Sequence, residues 1–240
     1  MELSTAMSNT HRTFWRGFLD CSPFILVVAP FGLLFGVAAG ETGLDLLQTM
    51  SMTILVIAGA SQFTALALLN DQTPTFIVIL VSLAVNLRMA MYSAALVPHL
   101  GQASLRTRML ASYFMVDQTF AVSIRHYEHE PARPLSEKLA YYFGGAASIC
   151  PFWYGFSLLG ALIGKAIPES YTLDFAIPIC FISLVAPMLR SLPHLAAALV
   201  SVSLALLLAW MPYNLWLLVA AVAAMMVGAQ TELWLKGRQA

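Results

Sequence analysis

The stretch TFIVILVSLAVNLRMAMYSAALV, residues 75–97, is a long apolar run that contains a single charged residue, Arg88. A helix needs about 20 consecutive apolar residues to cross the hydrocarbon core of a bilayer, so this run is long enough. A charge at the centre of such a helix costs about 2.5 to 3.5 kcal/mol even on a lenient insertion scale. The stretch therefore predicts a transmembrane helix whose arginine is either paired or functional.

The rest of the chain has the same apolar character. Of its 240 residues, 60% are hydrophobic and 10% are charged, and the mean hydropathy is +0.78. Soluble domains are about 25% charged, so this composition excludes an ordinary soluble enzyme and a disordered protein. Twelve basic residues balance twelve acidic ones, so nothing in the charge balance indicates a basic surface for nucleic acid. The expected surroundings are the lipid bilayer, and no nucleic-acid partner is expected.

Polar and turn residues divide the chain into eight apolar segments. These predict an all-α polytopic membrane protein with about eight transmembrane helices, some of them broken by Gly or Pro, in one domain over residues 1–240. The count falls to seven if the second segment is split or the fourth is re-entrant. The segments are 21–39, 46–69, 75–97, 109–124, 139–163, 175–189, 195–211 and 215–235.

The polar ends and loops indicate how the chain is oriented. Residues 1–19 mix basic and aromatic side chains and predict an interfacial lead-in, and residues 125–138 form the main hydrophilic loop. With the N-terminus inside, eight basic residues lie on the cytoplasmic side and three outside. Because cytoplasmic loops are enriched in Lys and Arg, both termini and the 125–138 loop are expected in the cytoplasm.

Arg88 and Asp117 are the two charged residues deep in predicted spans. Arg88 lies 10 residues before Pro98, and Asp117 lies 8 residues after Met109, in consecutive antiparallel segments. At about 1.5 Å rise per residue, they lie roughly 15 and 12 Å from the same membrane face. Because the two charges lie at the same depth, they can pair with each other. The pair could be a structural ion pair or part of a substrate or proton site. A wrong topology is the third alternative.

Other polar residues lie near these charges in the sequence. Tyr92 shares a helix face with Arg88, whereas Asn86 points elsewhere unless the helix unwinds. In the second segment the sequence Ala58-Gly-Ala-Ser61-Gln62 allows a break, and Ser61 would then cap the half-helix that follows. The alternative is a continuous helix whose small residues pack tightly while Gln62 bonds across to a neighbour.

Glycine spacing and local repeats carry weaker information. Glycines four residues apart at 32/36, 36/40 and 160/164 favour close helix packing, either within the chain or against a partner subunit. Leu19-Asp20 with Pro23 resembles Leu173-Asp174 with Pro178, and Val28-Ala-Pro30 recurs as Val185-Ala-Pro187. These matches are consistent with two related halves, an arrangement common in transporters.

Enzymatic and metal chemistry have no recognisable motif in this sequence. It has no HExxH, GxSxG or P-loop sequence, so no enzyme activity and no cofactor are expected. Three scattered cysteines, Cys21, Cys150 and Cys180, are interpreted as small buried hydrophobic residues. Two histidines and two glutamates within 126–130 are interpreted as part of a solvated loop, so no metal site is expected.

In combination, several short motifs resemble the AzlC family, the large subunit of AzlC/AzlD-type branched-chain amino acid exporters. They occur in the family's order and spacing, from about Phe14 to Trp234. The motifs are Gly59-Ala-Ser-Gln-Phe63, Asn86-Leu-Arg88 with Tyr92 and Leu96, Asp117 with Phe120-Ala121, and Leu173-Asp-Phe-Ala176.

The resemblance implies a prokaryotic inner-membrane permease that exports valine, leucine, isoleucine and related small apolar amino acids, with a small AzlD-type subunit as partner. It also implies export driven by the proton gradient. Family members often have His after the motif Arg and Asp-Glu where this chain has Met89 and Asp117-Gln118. Asp117 is then the leading remaining proton carrier.

From these residues we expect substrate to bind at Ser61, Gln62, Asn86, Arg88 and Tyr92, and Asp117 with Arg88 to serve in proton coupling or as an ion pair. The substrate carboxylate would meet Arg88 or the half-helix N-terminus, and its amino group would meet Asp117 and Asn86. Two alternatives remain open: a non-transporting membrane subunit, and a channel for another small solute.

Overall fold

The computed structural model describes residues 2–164, 189, 191–211 and 216–239, and every regular element in those ranges is helical. The predicted all-α membrane class is confirmed. Apart from Leu189, the predicted segment 175–189 lies outside the described residues, as do Cys180, the 173–176 motif and the second copy of each repeat. Whether the chain has seven or eight spans therefore stays a prediction.

The helices vary widely in length. Three stretches are long and apolar enough to cross a membrane, namely residues 9–41, the fifth helix and the eighth helix, and several shorter helices are apolar too. The elements are α1 (Glu2–Cys21), a 3-10 turn (Ser22–Phe24), α2 (Ile25–Glu41), α3 (Leu46–Leu55), α4 (Gly59–Asn70), α5 (Thr75–Leu100), α6 (Leu105–Tyr113), α7 (Asp117–His129), α8 (Leu135–Gly164), α9 (Leu192–Leu207) and α10 (Trp216–Gln239).

The chain divides into two compact units. The first comprises Met1–Gln62 and Val85–Tyr171, and the second comprises Phe63–Ala84 and Thr172–Ala240. Within the second unit, α9 and α10 pack together, and Gly228 of α10 faces the Ala197 side chain of α9. The expectation of one domain over residues 1–240 stays a prediction.

The N-terminal stretch predicted as a lead-in is helical. Helix α1 covers it and continues through the 3-10 turn at Pro23 into α2, which passes Pro30 without ending. Both α1 and α2 pack along α8. Whether residues 1–19 lie at the membrane interface stays a prediction.

Glycines let these three helices approach each other closely in the first unit. A Cβ atom added at Gly144 of α8 would overlap the Phe14 carbonyl of α1, and one added at Gly160 would overlap the Leu33 carbonyl of α2. On the facing side, an added Cβ at Gly36 would overlap the Ser157 carbonyl. Of the two origins predicted for the glycine spacing, internal packing is therefore confirmed for Gly36 and Gly160, whereas nothing lies within 4 Å of a Cβ at Gly40.

A charged cluster joins the ends of α1, α7 and α8. The Arg16 guanidinium donates to Glu130 at 2.9 Å, and Arg133 donates to Glu130 and Glu137 at 2.6 Å each. Hydrogen bonds from Arg16 and Arg133 lower the pKa of the Glu130 carboxyl below its usual value. The cluster surrounds a short turn, since α7 extends to His129 and α8 begins at Leu135. The predicted loop 125–138 is therefore mostly helical.

The histidine interpreted as solvated is buried beside this turn. The ring of His126 stacks on Tyr141 of α8 with 3.8 Å between ring centroids. Stacking on an aromatic residue removes the imidazole from water, which explains the difference from the sequence-based expectation. In α1 and α8, Cys21 and Cys150 are buried free thiols.

We predict that Gly160→Ala destabilises the protein and that Gly155→Ala, the matched control in the same helix, does not. A Cβ at position 160 meets a backbone carbonyl that has no room to move, whereas nothing lies within 4 Å of a Cβ at position 155. Overpacking of this kind costs about 1–3 kcal/mol. The thermal midpoint of each purified variant in detergent measures the difference, and equal midpoints would contradict the packing described for α2 and α8.

Candidate functional site

The second predicted segment is interrupted, as the sequence allowed. Helix α3 starts with a capping box, in which Asp45 accepts from the Gln48 backbone N–H at 2.7 Å, and ends at Leu55. Val56 is extended, with φ −129° and ψ 91°, and α4 begins at Gly59. Ser61 therefore lies inside the first turn of α4, and its predicted role as the helix cap is wrong because the helix begins two residues earlier.

The fourth predicted segment is also interrupted, which the sequence did not indicate. Helix α6 ends at Tyr113 and α7 begins at Asp117, preceded by the extended residue Val116 with φ −128° and ψ 160°. Asp117 is thus the first residue of α7, where free N–H groups and the helix dipole favour a negative charge. Because α6 ends at Tyr113 and α7 starts at Asp117, the prediction of one span over 109–124 is wrong.

Arg88 and Asp117 form an ion pair. The Nη1 atom of Arg88 lies 3.0 Å from Oδ2 of Asp117, and the two side chains are 27% and 37% exposed. Tyr92, one turn after Arg88, stacks on Phe120 of α7 with 4.1 Å between ring centroids. The phenol of Tyr92 is within electrostatic reach of both charges. The pairing expected from matched depth is therefore present, in a partly accessible position.

Several buried polar atoms near these helix ends have no hydrogen-bond partner within the described part of the chain. They include Oδ1 of Asp117, Nε of Arg88, Oδ1 of Asn86 and both amide atoms of Gln62. Gln62 is 0% exposed. Leaving a buried polar group unpaired costs about 1–3 kcal/mol, so each of these groups calls for a partner that the described helices do not supply.

The same pattern continues onto α7 and α8. Thr119, Ser148 and Ser157 are each 0% exposed, and none of their hydroxyls has a partner among the residues that are described. The methyl group of Thr119 lies 3.6 Å from the position of a Cβ added at Gly145, so α7 and α8 touch beside these groups.

A tyrosine links the two helix breaks. The hydroxyl of Tyr113, at the end of α6, donates to the Ile54 carbonyl at 2.7 Å and lies 3.1 Å from the Tyr154 hydroxyl of α8. Ile54 is in the last turn of α3, where carbonyls lack an intrahelical partner. Because Tyr113 already donates to Ile54, its oxygen accepts from Tyr154. The two interruptions are therefore fixed relative to each other through α8.

An open cavity is lined by residues that lie close in sequence to Tyr92 and Asp117. Its volume is about 560 Å³, within the range of small-molecule sites, and its walls come from α5, α6 and α8. Ser93, which follows Tyr92, and Met115, two residues before Asp117, both line it. The lining is mostly apolar, with Arg108 among the polar residues.

Of the six predicted site residues, three lie in contact or electrostatic reach of one another, namely Arg88, Tyr92 and Asp117. Asn86 belongs to the same uninterrupted helix α5, and Ser61 and Gln62 lie in the first turn of α4. The sequence analysis missed Tyr113 and Tyr154, whose only sequence signal is a polar aromatic residue in an apolar segment. No group of three or more His, Cys, Asp or Glu residues that could hold a metal ion occurs in the described ranges.

Comparison with known proteins identifies the family. The AzlC protein family model matches residues 23–167, more than half of the chain, so the protein belongs to the AzlC family. Its helices and its membrane relatives make it a membrane protein, and the family supports a transport-related role.

Relatives occur in archaea and bacteria. An uncharacterized membrane protein of Archaeoglobus fulgidus is 29% identical over 77% of this chain and 80% of its own length. An uncharacterized membrane protein of Helicobacter pylori is 28% identical over 71% of this chain and 75% of its own length. Inner membrane protein YgaZ of Escherichia coli is 26% identical over 71% of each chain. No solved structure matches this chain.

We predict that Tyr113→Phe lowers the free energy of unfolding by about 1 kcal/mol, the net value of a typical hydrogen bond. The change removes the only donor that the structure gives to the Ile54 carbonyl within the described residues. Tyr154→Phe is the matched control, because it leaves that bond in place and should cost less. Thermal midpoints in detergent measure both variants, and an equal or larger loss in Tyr154→Phe would refute the role of Tyr113.

Proposed function

We propose that this chain is a secondary transporter that exports branched-chain or other small apolar amino acids across the cytoplasmic membrane. The observation that carries the proposal is the Arg88–Asp117 ion pair at the start of a half-helix, with an open cavity lined by residues close to it in sequence. A charged pair in an apolar chain is expensive, and in membrane proteins such groups mark substrate or ion pathways. The protein acts in this proposal as a permease and not as an enzyme.

The chemistry of a zwitterionic substrate matches the polar groups in the first unit. An amino acid brings one carboxylate and one ammonium, and the site offers a cation at Arg88 and an anion at Asp117. Asn86 adds an amide oxygen that accepts from an ammonium, and the N-terminal end of α4 at Ser61 and Gln62 suits a carboxylate. Tyr92, stacked on Phe120, gives the pair an aromatic wall.

The mainly apolar cavity suits an aliphatic side chain. Its lining includes Leu96, Met115 and Ala111, which are buried. Apolar walls with a few polar groups are the usual composition of a small-molecule site. Valine, leucine and isoleucine carry this combination of a charged head and a short apolar chain.

Energy coupling and partners complete the proposal. Asp117 serves as proton carrier, so that efflux of substrate is coupled to entry of protons along the gradient. A small AzlD-type membrane subunit assembles with the chain, and both termini face the cytoplasm. Exposed apolar residues along α5, among them Leu83, Leu87 and Met91, leave a face for lipid or for that subunit.

We expect Arg88→Ala and Asp117→Asn each to lower the rate of valine efflux per inserted molecule at least tenfold. Each change removes one of the two charges that meet the substrate, and tenfold corresponds to about 1.4 kcal/mol. The measurement is efflux of labelled valine and methionine from preloaded cells, with the chain alone and with a candidate small subunit. Arg106→Ala removes an exposed arginine at the start of α6 and is the matched control.

Exchange of the two charges separates a transport role from a structural one. In the double variant Arg88→Asp with Asp117→Arg, the ion pair can reform, so the amount of inserted protein should recover from that of either single variant. Efflux should remain low because the substrate charges meet the wrong partners. If efflux recovers together with the amount of protein, the pair has only a structural role, and the proposed site is wrong.

A further inference from the structure

Trp153, near the middle of α8, is a buried aromatic residue with an unused donor. Its side chain is 6% exposed, and its indole Nε1 has no hydrogen-bond partner in the described portion of the chain. The indole N–H can donate but cannot accept. Buried tryptophan N–H groups usually have a partner, so this one calls for an acceptor that the described helices do not supply.

The ring of Trp153 lies against the first residue of α4. A Cβ added at Gly59 would lie 2.9 Å from Cη2 of Trp153 and 2.7 Å from Cε1 of Phe31. Glycine is therefore required at this position, because any side chain would displace one ring or the other. Phe31 and Phe35 flank the indole with ring centroids 5.9 and 6.0 Å away.

Gln62 lies on the same face of α4 as Gly59. The two residues are three apart in a helix, so their side-chain positions are neighbours on the surface that Trp153 contacts. Gln62 is fully buried, and neither its amide nitrogen nor its amide oxygen is bonded within the described helices. The ring that carries the unpaired indole N–H and the unpaired Gln62 amide thus both belong to the surroundings of the N-terminal end of one half-helix.

The donors in this set of groups suit an anion. A helix N-terminus carries a partial positive charge, and both adjoining side chains offer N–H donors. Arg88, by contrast, is already paired with Asp117 at 3.0 Å. The groups at α4 therefore offer a carboxylate a second place to bind, one that does not require this ion pair to break. The aromatic walls formed by Phe31 and Phe35 suit an apolar chain attached to that carboxylate.

We infer that Trp153 and Gln62, at the N-terminal end of α4, form the carboxylate-binding subsite for a small branched aliphatic substrate. This inference rests on the proposed function and adds a residue of α8 to the site. Trp153 donates its indole N–H to one carboxylate oxygen, and Gln62 donates its amide N–H to the carboxylate. The substrate ammonium then remains for the Arg88–Asp117 pair, where Asp117 supplies the negative charge.

The test uses three compounds that share one carbon skeleton. Valine has both charged groups, isovalerate has the carboxylate without the amino group, and valinamide has the amino group without the carboxylate. Binding to purified full-length protein in detergent is measured as the shift in thermal midpoint against ligand concentration. Labelled valine efflux in cells, with each compound as competitor, is measured in parallel.

In Trp153→Phe, which keeps a ring but loses the N–H, we expect the apparent affinity for valine and isovalerate to fall about tenfold. The affinity for valinamide should not change, because it has no carboxylate. Gln62→Met, similar in size but without donors, should show the same selective loss if Trp153→Phe fails to fold. Trp210→Phe, at an exposed position after α9, is the matched control and should behave as wild type.

The outcomes distinguish the subsite from the transport function. If isovalerate stabilises wild type but not Trp153→Phe, and valine is not exported, the subsite stands and the proposed export is wrong. If valine is exported and Trp153→Phe binds all three compounds as wild type does, the subsite is wrong. Equal weakening of valine and valinamide, or no binding of any compound to wild type, also overturns the subsite.

Discussion

Close backbone contact along α8 is the constraint on which the site depends. Gly144 brings α8 against α1, and Gly160 brings it against α2, at positions where even one methyl group would overlap a carbonyl. Helices in a bilayer gain little from hydrophobic burial, because lipid is as apolar as their side chains, so van der Waals contact of this kind supplies much of their association. With α8 fixed in this way, Trp153 has a defined position against Gly59 and Tyr154 a defined position beside Tyr113.

Against this framework, two helices end and restart inside apolar sequence. Each interruption leaves carbonyls on one side and N–H groups on the other without intrahelical partners, which is tolerated in a membrane only where protein or a polar cavity satisfies them. Tyr113 satisfies the Ile54 carbonyl on the carbonyl side. On the N–H side, Asp117 supplies a carboxylate at the start of α7, whereas α4 starts at Gly59 with no acidic residue in its first turn. The N-terminal end of α4 thus carries the partial positive charge of a helix dipole without an acidic side chain of its own helix to balance it.

The sequence predicted those features that follow from fixed helix geometry. Matched depth brought Arg88 and Asp117 together because the rise per residue varies little, and Gly59 indicated the first interruption because glycine weakens a helix. The second interruption, at residues 114–116, has no Gly or Pro, so local preference did not reveal it. Trp153 is an ordinary apolar residue by pattern, and its unpaired N–H results from tertiary packing against α2 and α4. Membership of the AzlC family, identified from short motifs, is confirmed over residues 23–167.

In the proposed function, the Arg88–Asp117 pair would let a site in an apolar protein release and accept a zwitterion. Separating two opposite charges in a low-dielectric interior leaves each one unpaired, which is far more costly than keeping them together. A zwitterion supplies one charge of each sign, so it can exchange partners with the pair while the net charge of the site stays at zero. Both side chains are partly exposed, so that exchange can begin without opening the packed helices. Under the same proposal, a substrate with a single charge leaves either Arg88 or Asp117 without a partner, so the ion pair would favour amino acids over simple amines and simple acids.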